Sequence, residues 1–164
     1  PPRFCAYPYG EHDDRLRALW AEMGYIGFGQ QSGAIDQHVD WQQVPRIPIN
    51  RHFSDWSQLR NKLLALPMPA THIVPASGVT LEASPRLSFE LPPQWQKIVL
   101  SCFAGGEPMR ARVKAEQRAL TVTLQGSIPI GRSRYTCTAP AGDGRYYWYS
   151  WLWMRRNAEG WYDE

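Results

Sequence analysis

The sequence predicts an α/β segment followed by an all-β segment, because the pattern of apolar residues changes along the chain. Up to about residue 66, short apolar runs alternate with stretches in which apolar residues recur every three or four positions, as in amphipathic helices. Beyond residue 87, apolar and polar residues alternate one by one, as in half-buried strands. The stretch between them, residues 67–86, is rich in proline and predicts a linker, with one short strand at residues 71–74.

The composition predicts folded cores and gives no sign of a nucleic-acid or membrane partner. The chain has 164 residues, 43% of them hydrophobic, which is enough for a core in each segment. The net charge of +3 creates no strong field towards nucleic acid or an anionic membrane. No apolar run approaches the roughly 18 residues of a membrane span. Eight Trp and eight Tyr exceed ordinary packing needs and point to interfaces or sugar sites.

The first ten residues are an apolar run that ends in Tyr-Pro-Tyr-Gly. This pattern predicts a strand followed by a rigid turn, because Pro8 fixes its own φ and keeps Tyr7 extended. Gly10 allows the chain to turn sharply. The turn therefore presents the peptide N–H groups around Tyr9 at a defined place.

Two helices and two further strands are predicted in the same segment. Asp13 or Asp14 can cap the first helix, and Ser54 or Asp55 the second. Each helix has apolar residues along one face, which we expect to be buried. The predicted elements are helices at about residues 14–23 and 56–66 and strands at residues 25–29 and 44–49.

Polar residues at the ends of these strands are candidate site residues. Gln30 and Gln31 follow the strand at residues 25–29, at the end that carries the active site in parallel barrels. They are candidate substrate-binding residues, and a solvated loop is the alternative. Arg46 lies in an apolar strand, where burial without a carboxylate partner would be costly. An exposed arginine at the strand end is the alternative for this position.

Three short motifs resemble, in their order, the late part of the polysaccharide deacetylases of carbohydrate esterase family 4, the NodB-like proteins. Tyr-Pro-Tyr-Gly at residues 7–10 is similar to the family's Pro-Tyr-Gly after a barrel strand. Gly-Tyr at residues 24–25 is similar to the start of the next strand, and Pro-Arg-Ile-Pro at residues 45–48 to the last one. The resemblance implies that residues 1–66 are C-terminal βα units of a deformed (β/α) barrel.

The resemblance also implies a reaction, the hydrolysis of N-acetyl groups on a polysaccharide by a water that a divalent metal, zinc above all, activates. The family's metal-binding motifs are an Asp-Asp pair on an early strand and a His-x-x-x-His on the following loop. Both belong upstream of the segment that this chain resembles, and the opening Pro-Pro-Arg-Phe is not a plausible translation start. We therefore expect the upstream half of the catalytic domain as a partner, and neither a bound metal nor activity from this chain alone.

The resemblance assigns three catalytic candidates. Tyr9 would offer a backbone N–H to the oxyanion, and Arg46 would pair with a catalytic aspartate of the upstream half. Asp40 and Trp41 stand near the place of the family's Asp-x-x-Asp-Trp motif, with the spacing off by one residue. There Asp40 would orient a catalytic side chain and Trp41 would line the sugar pocket. A loop aspartate beside a packed tryptophan is the alternative.

Two departures from the family pattern are visible in the sequence. Ala6 stands where many members have an arginine. The Leu-x-His motif that supplies the general acid has no clear counterpart, and His52 is the nearest candidate. A surface histidine at the start of a helix is the alternative for His52.

Residues 87–164 predict an antiparallel β-sandwich. Cys102 and Cys137 both lie in this half, so we pair them in a disulfide and leave Cys5 free. Tyr135 precedes Cys137 by two residues, as in an immunoglobulin tyrosine corner, but no Trp lies between the paired cysteines. The expectation is an immunoglobulin-like or fibronectin-like sandwich without that Trp. The cysteine pair and the resemblance together predict a periplasmic or extracellular location.

The last predicted strand, residues 146–154, is aromatic or apolar on both faces. One face should pack inside the sandwich, while the other covers the barrel or stacks on sugar rings. Trp151 and Trp153 are the candidate sugar-binding residues, and packing between the two segments is the alternative. A non-catalytic carbohydrate-binding or adaptor module that uses this strand is the second hypothesis for the function.

Overall fold

The protein is described here by a computed structural model that covers residues 3–49, 55–115 and 119–160. Within these ranges it is mostly β, with three sheets and two α-helices. Neither helix is long and apolar enough to cross a membrane. Two of the sheets belong to the second half of the chain and share one hydrophobic core.

The first segment forms a small parallel sheet in the order β1-β2-β3. Its elements are β1 (Arg3–Ala6), α1 (Asp14–Glu22), β2 (Tyr25–Ser32), β3 (Val44–Arg46) and α2 (Trp56–Leu63). Helix α1 connects β1 to β2, so the predicted α/β pattern is present. The three strands do not close into a barrel within the described residues.

Both predicted helices form, but they are less buried than their apolar patterns suggest. The Asp13 carboxylate caps α1 by accepting a hydrogen bond from the Leu16 N–H at 2.8 Å. Asp55 caps α2 in the same way, and Ser54 lies outside the described residues. No residue of either helix is fully buried, and Trp56 at the start of α2 is 68% exposed.

Strand β2 is longer than predicted and β3 is shorter. Gln30 and Gln31 lie within β2 and do not follow it, so the predicted end of this strand at residue 29 is wrong. Gly27 and Gly29 leave space on one face of the strand for other groups. A Cβ at Gly27 would lie 2.8 Å from the Tyr7 hydroxyl, and one at Gly29 would overlap the Gln31 side chain.

The second segment contains two packed sheets. One has the order β10-β11-β7-β5, and the other has the order β4-β13-β12-β8-β9 with β6 also paired to β13. The strands are β4 (Leu66–Pro67), β5 (Thr71–Val74), β6 (Val79–Thr80), β7 (Arg86–Leu91), β8 (Ser101–Ala104), β9 (Glu107–Met109), β10 (Ala111–Ala115), β11 (Leu120–Gln125), β12 (Gly131–Gly142) and β13 (Arg145–Arg155).

The core of this sandwich-like fold follows from the alternation of residues along its strands. In β7, Leu87, Phe89 and Leu91 point inwards, and β11 contributes a second such series. The facing sheet supplies aromatic and small residues from β12 and β13, so both sheets bury one face against the other. The predicted sandwich-like segment is therefore confirmed in its coarse form.

Residues 67–86 are part of this fold and not a linker. Strand β5 joins the four-stranded sheet through β7 and confirms the predicted strand at residues 71–74, while β4 and β6 add to β13. Met68, between two prolines, is buried in the core. Pro67 is tolerated because β4 lies at a sheet edge, where a missing N–H breaks no ladder.

The predicted disulfide between Cys102 and Cys137 is present. The two residues are directly opposite each other on β8 and β12, with their Cα atoms 4.2 Å apart. The bond therefore joins neighbouring strands of one sheet, whereas the immunoglobulin disulfide joins two sheets. Cys5 is a half-buried free cysteine.

The aromatic strand β13 directs Trp151 and Trp153 into the sandwich core. They are 8% and 1% exposed, and the centroids of their rings lie 6.0 Å apart. The interpretation of these two residues as a sugar-binding surface is corrected here, because the faces of both rings are covered by protein. The sequence pattern could not decide this, since both faces of the strand are apolar.

Candidate functional site

The turn after β1 has an unusual backbone at Tyr9 and Gly10. Their φ angles are 53° and 79°, in the left-handed region that costs a non-glycine residue energy. The Gly10 N–H donates to the Tyr7 carbonyl at 2.8 Å, and the Glu11 N–H to the Pro8 carbonyl at 3.0 Å. Since these two amides are already used, the N–H of Tyr9 is the one candidate in the turn for an external acceptor.

The carboxyl ends of the three parallel strands bring Tyr9, Gln30 and Arg46 together. The turn packs tightly on β2, because a Cβ at Gly10 would lie 2.7 Å from the Gln30 Cβ. The Arg46 Nη2 donates to the Gln30 Oε1 at 3.2 Å, and Arg46 is otherwise exposed. This edge of the sheet therefore joins an exposed aromatic ring, an amide and a guanidinium in one place.

Two buried aromatic residues support the turn from below. The Tyr7 ring stacks between those of His12 and Trp20, with both centroid distances 4.2 Å, and its hydroxyl donates to the Gln42 carbonyl at 2.8 Å. Burial raises the pKa of Tyr7 to about 12. The His12 Nδ1 lies 2.9 Å from the Gly10 carbonyl, and burial lowers its pKa. The stacking of their rings shows that Tyr7 and His12 support the turn, and no pattern in the sequence indicated this.

Gln31 is a buried residue of β2, so its alternative interpretation as a solvated loop residue is wrong. Its Nε2 donates to the Gln43 carbonyl at 2.7 Å, which ties β2 to the chain just before β3. Its Oε1 is buried with no hydrogen-bond partner in the part of the chain that the structure describes. Gln31 thus holds the sheet together, and its side chain is not an open binding group.

Among the described residues, Asp40 and Trp41 make no hydrogen bond or ion pair with Tyr9, Gln30 or Arg46 and do not line the cleft beside them, so their assignment as a catalytic residue and a pocket residue is not supported. They precede β3, and the Trp41 carbonyl accepts a hydrogen bond from the Gly27 N–H in the first half of β2. The Asp40 carboxylate pairs with the Arg17 guanidinium of α1. His52 falls outside the described residues.

The sandwich contributes Arg132 of β12 to the same turn. Its Nη1 donates to the Tyr9 carbonyl at 2.5 Å, and its Nε lies 3.3 Å from the Glu11 carboxylate. The guanidinium carbon is 5.2 Å from the centroid of the Tyr9 ring. The sequence did not connect Arg132 with this turn, because it is 123 residues away from Tyr9 along the chain.

A cleft of about 380 Å³ lies between the turn and the sandwich. Its size is within the range of small-ligand sites, about 300–1,000 Å³. On one side it is bounded by residues of the first segment and on the other by residues of β8, β12 and β13 and their loops. The lining residues are Tyr9, Gln30, Gln31, Gly105, Pro129, Arg132, Ser133, Arg134 and Leu152.

The described residues do not form a metal site by themselves. No group of three or more His, Cys, Asp or Glu side chains in the described ranges is arranged to hold an ion. Zinc, which the resemblance implies, would need ligands from outside these residues. No chemical step is therefore assigned to a metal in this chain.

Comparisons with known proteins add no assignment. Neither the models of known protein families nor the curated proteins contain a match to this sequence.

Proposed function

We propose that this chain is the C-terminal part of a metal-dependent polysaccharide deacetylase that hydrolyses N-acetyl groups on a glycan. The observation that carries the proposal is the Pro-Tyr-Gly turn after β1, with Gln30 and Arg46 beside it. All three lie where strands of a parallel sheet end, which is where α/β enzymes place their active sites. The motif order that resembles the NodB-like family supports the same proposal.

In this proposal Tyr9 stabilises the intermediate of amide hydrolysis. Water adds to the acetyl carbonyl carbon, and the oxygen that becomes negative accepts a hydrogen bond from the Tyr9 N–H. The C–N bond then breaks, acetate leaves and the sugar amine takes a proton. Arg132 holds the Tyr9 carbonyl, so the turn has a fixed geometry before substrate arrives.

Arg46 is the charged residue of this chain that acts at the sheet edge. Its guanidinium is exposed and bonded to a neutral amide, which leaves it able to pair with a carboxylate. The partner is a catalytic aspartate supplied by the upstream half of the domain. Such a pair lowers the pKa of the aspartate and keeps it ionised as the base that takes the proton of the water.

The upstream half also explains an apolar surface of the parallel sheet. Phe4 of β1 is 62% exposed, and its ring lies 6.0 Å from that of Phe28 on the same face. β1 is an edge strand within the described sheet. A further strand from the upstream half would pair with the free edge of β1, and its apolar side chains would cover the Phe4 ring. The upstream half would also supply the zinc ligands. The chain alone is then inactive.

The disulfide fits a periplasmic or extracellular setting for this enzyme. Disulfides persist in oxidising compartments and are rare in a reducing cytosol. A polysaccharide substrate outside the cell membrane agrees with such a location.

The test is acetate release from N-acetylated oligosaccharides with added zinc or cobalt. We expect activity from the protein extended by the upstream half and none from the chain alone. In the extended protein, Arg46→Gln should lower kcat by about tenfold or more, whereas Arg60→Gln on the exposed surface of α2 should leave it unchanged. An extended protein that binds zinc and releases no acetate would contradict the proposal.

A non-catalytic glycan-binding or adaptor module is the alternative. The observation that favours it is the exposed Tyr9 ring, 63% accessible, beside a cleft that needs no further residues to exist. This alternative no longer involves Trp151 or Trp153, whose truncation should unfold the sandwich. It predicts glycan binding by the chain with no acetate release from either form.

A further inference from the structure

The cleft between the Tyr9 turn and the sandwich has an excess of positive charge. Arg132 and Arg134 line it, and Gln30, which also lines it, holds Arg46. Among the described residues, Glu11 is the only carboxylate in an ion pair with any of these three arginines. Within the described ranges, two of the three guanidinium charges are therefore not paired with a carboxylate.

Arg134 is the arginine best placed for a ligand. It stands two positions after Arg132 on β12, so both side chains leave the same face of the sheet. Their partners on β13, Leu152 and Met154, cover the first segment, where the Met154 Sδ accepts a hydrogen bond from the His12 N–H. Arg134 is exposed and has no ion pair within the described ranges.

The other side of the cleft is suited to a sugar. The Tyr9 ring offers an exposed aromatic face, on which the C–H groups of a pyranose pack well. The Gln30 side chain adds an amide that exchanges hydrogen bonds with hydroxyl groups. A guanidinium presents a planar pair of donors that matches a carboxylate or sulfate group. The cleft thus combines recognition of a ring with recognition of an anion.

We propose that this cleft binds a sugar residue with an anionic substituent, so that the polysaccharide substrate is an acidic glycan. Arg134 pairs with the anionic group, and Tyr9 stacks on the ring of the same or the adjacent residue. The identification of this ligand as substrate depends on the deacetylase function proposed above. Binding of the sugar requires only residues of this chain and does not require the deacetylase reaction.

The experiment is calorimetric titration of the chain with four oligosaccharides. Trigalacturonate carries carboxylates, its methyl ester has the same rings without charge, a carrageenan oligosaccharide carries sulfates, and tri-N-acetylglucosamine is neutral and acetylated. We expect trigalacturonate to bind at least fivefold more tightly than its ester, and less tightly as salt is raised. Binding of the carrageenan oligosaccharide as well would show that sulfate also serves as the anion.

Two variants of Arg134 and a control variant of Arg112 locate the site. Arg134→Gln should weaken trigalacturonate binding at least fivefold, and Arg134→Lys should recover part of it. Arg112→Gln, on the exposed surface of β10 in the other sheet, should have no effect. Equal binding of the acid and its ester, or equal losses in the Arg134 and Arg112 variants, would overturn the inference. The acetate-release assay would still decide the deacetylase function separately.

Discussion

Tyr135 is buried and Tyr149 is half-buried on the paired strands β12 and β13, and their hydroxyl groups have different surroundings. The Tyr135 hydroxyl lies 2.7 Å from the Pro85 carbonyl and 2.6 Å from the Gly126 carbonyl, and it accepts from the Gly126 N–H at 2.9 Å. The Tyr149 hydroxyl is buried with no hydrogen-bond partner among the described residues. Desolvation raises the pKa of both hydroxyls. Only the Tyr135 hydroxyl forms hydrogen bonds that connect separate parts of the chain.

The two Tyr→Phe variants should therefore differ in the free energy of unfolding. Tyr135→Phe leaves buried groups of Pro85 and Gly126 without a partner, which should cost about 1–3 kcal/mol. Tyr149→Phe removes a hydroxyl that already lacks a partner, so the change should stay within about 0.5 kcal/mol or be stabilising. Urea denaturation followed by tryptophan fluorescence measures both. Equal losses would mean that the hydrogen bonds of Tyr135 contribute nothing.

At the scale of elements, the turn after β1 is fixed by contact with β2 as well as by its own residues. Gly10 and Gly24 both have positive φ angles, 79° and 71°. At Gly24 a Cβ would meet nothing within 4 Å, whereas at Gly10 it would press on the Gln30 side chain and backbone. The comparison separates the cost of the backbone conformation from the cost of the close approach.

Gly10→Ala should destabilise the protein more than Gly24→Ala. The positive φ alone should cost about 1 kcal/mol in each variant, and the contact with Gln30 should add about 1–3 kcal/mol at Gly10. Urea midpoints of the two variants and the parent give the comparison. Similar midpoints for both variants would show that Gln30 moves aside at little cost.

At the scale of the whole molecule, His12 connects the two segments. Its ring lies under the turn, and its backbone N–H donates to the Met154 Sδ of β13. Because this packing buries the ring, the pKa of His12 depends on the contact between the segments. Burial is the largest cause of its lowered pKa, and the nearby Arg17 acts in the same direction. The folded state therefore holds His12 neutral at pH values where the unfolded chain binds a proton.

Stability should consequently fall as the pH drops below about 6.5, the ordinary pKa of histidine in an unfolded chain. Above that pH both states are neutral at His12 and there is no effect. Below it the loss approaches about 1.4 kcal/mol per pH unit until the folded pKa is reached. Urea denaturation at pH 7.5, 6.5 and 5.5 measures the slope.

The variant His12→Gln serves as the control for this slope. It should be less stable at neutral pH and less sensitive to acid than the parent protein. An unchanged slope in His12→Gln would assign the pH dependence to other groups.

The sequence by itself determined the features that depend on neighbours along the chain. The Tyr-Pro-Tyr-Gly turn and the two-residue period of β7 and β11 were predicted correctly, and Asp13, one of the two predicted caps, is the one that caps α1. In each case a few adjacent residues restrict φ or offer a hydrogen bond, so no distant contact is required. The pairing of Cys102 with Cys137 was found because both lie in the strand-rich half.

Only the tertiary structure decided the features that depend on a distant partner. Both faces of β13 are apolar, so the pattern could not direct Trp151 and Trp153 to the core. The two-residue strands β4 and β6 are too short to show a period, and they exist because β13 offers them an edge. The approach of Arg132 to Tyr9 follows from packing between the two segments, which no local spacing records.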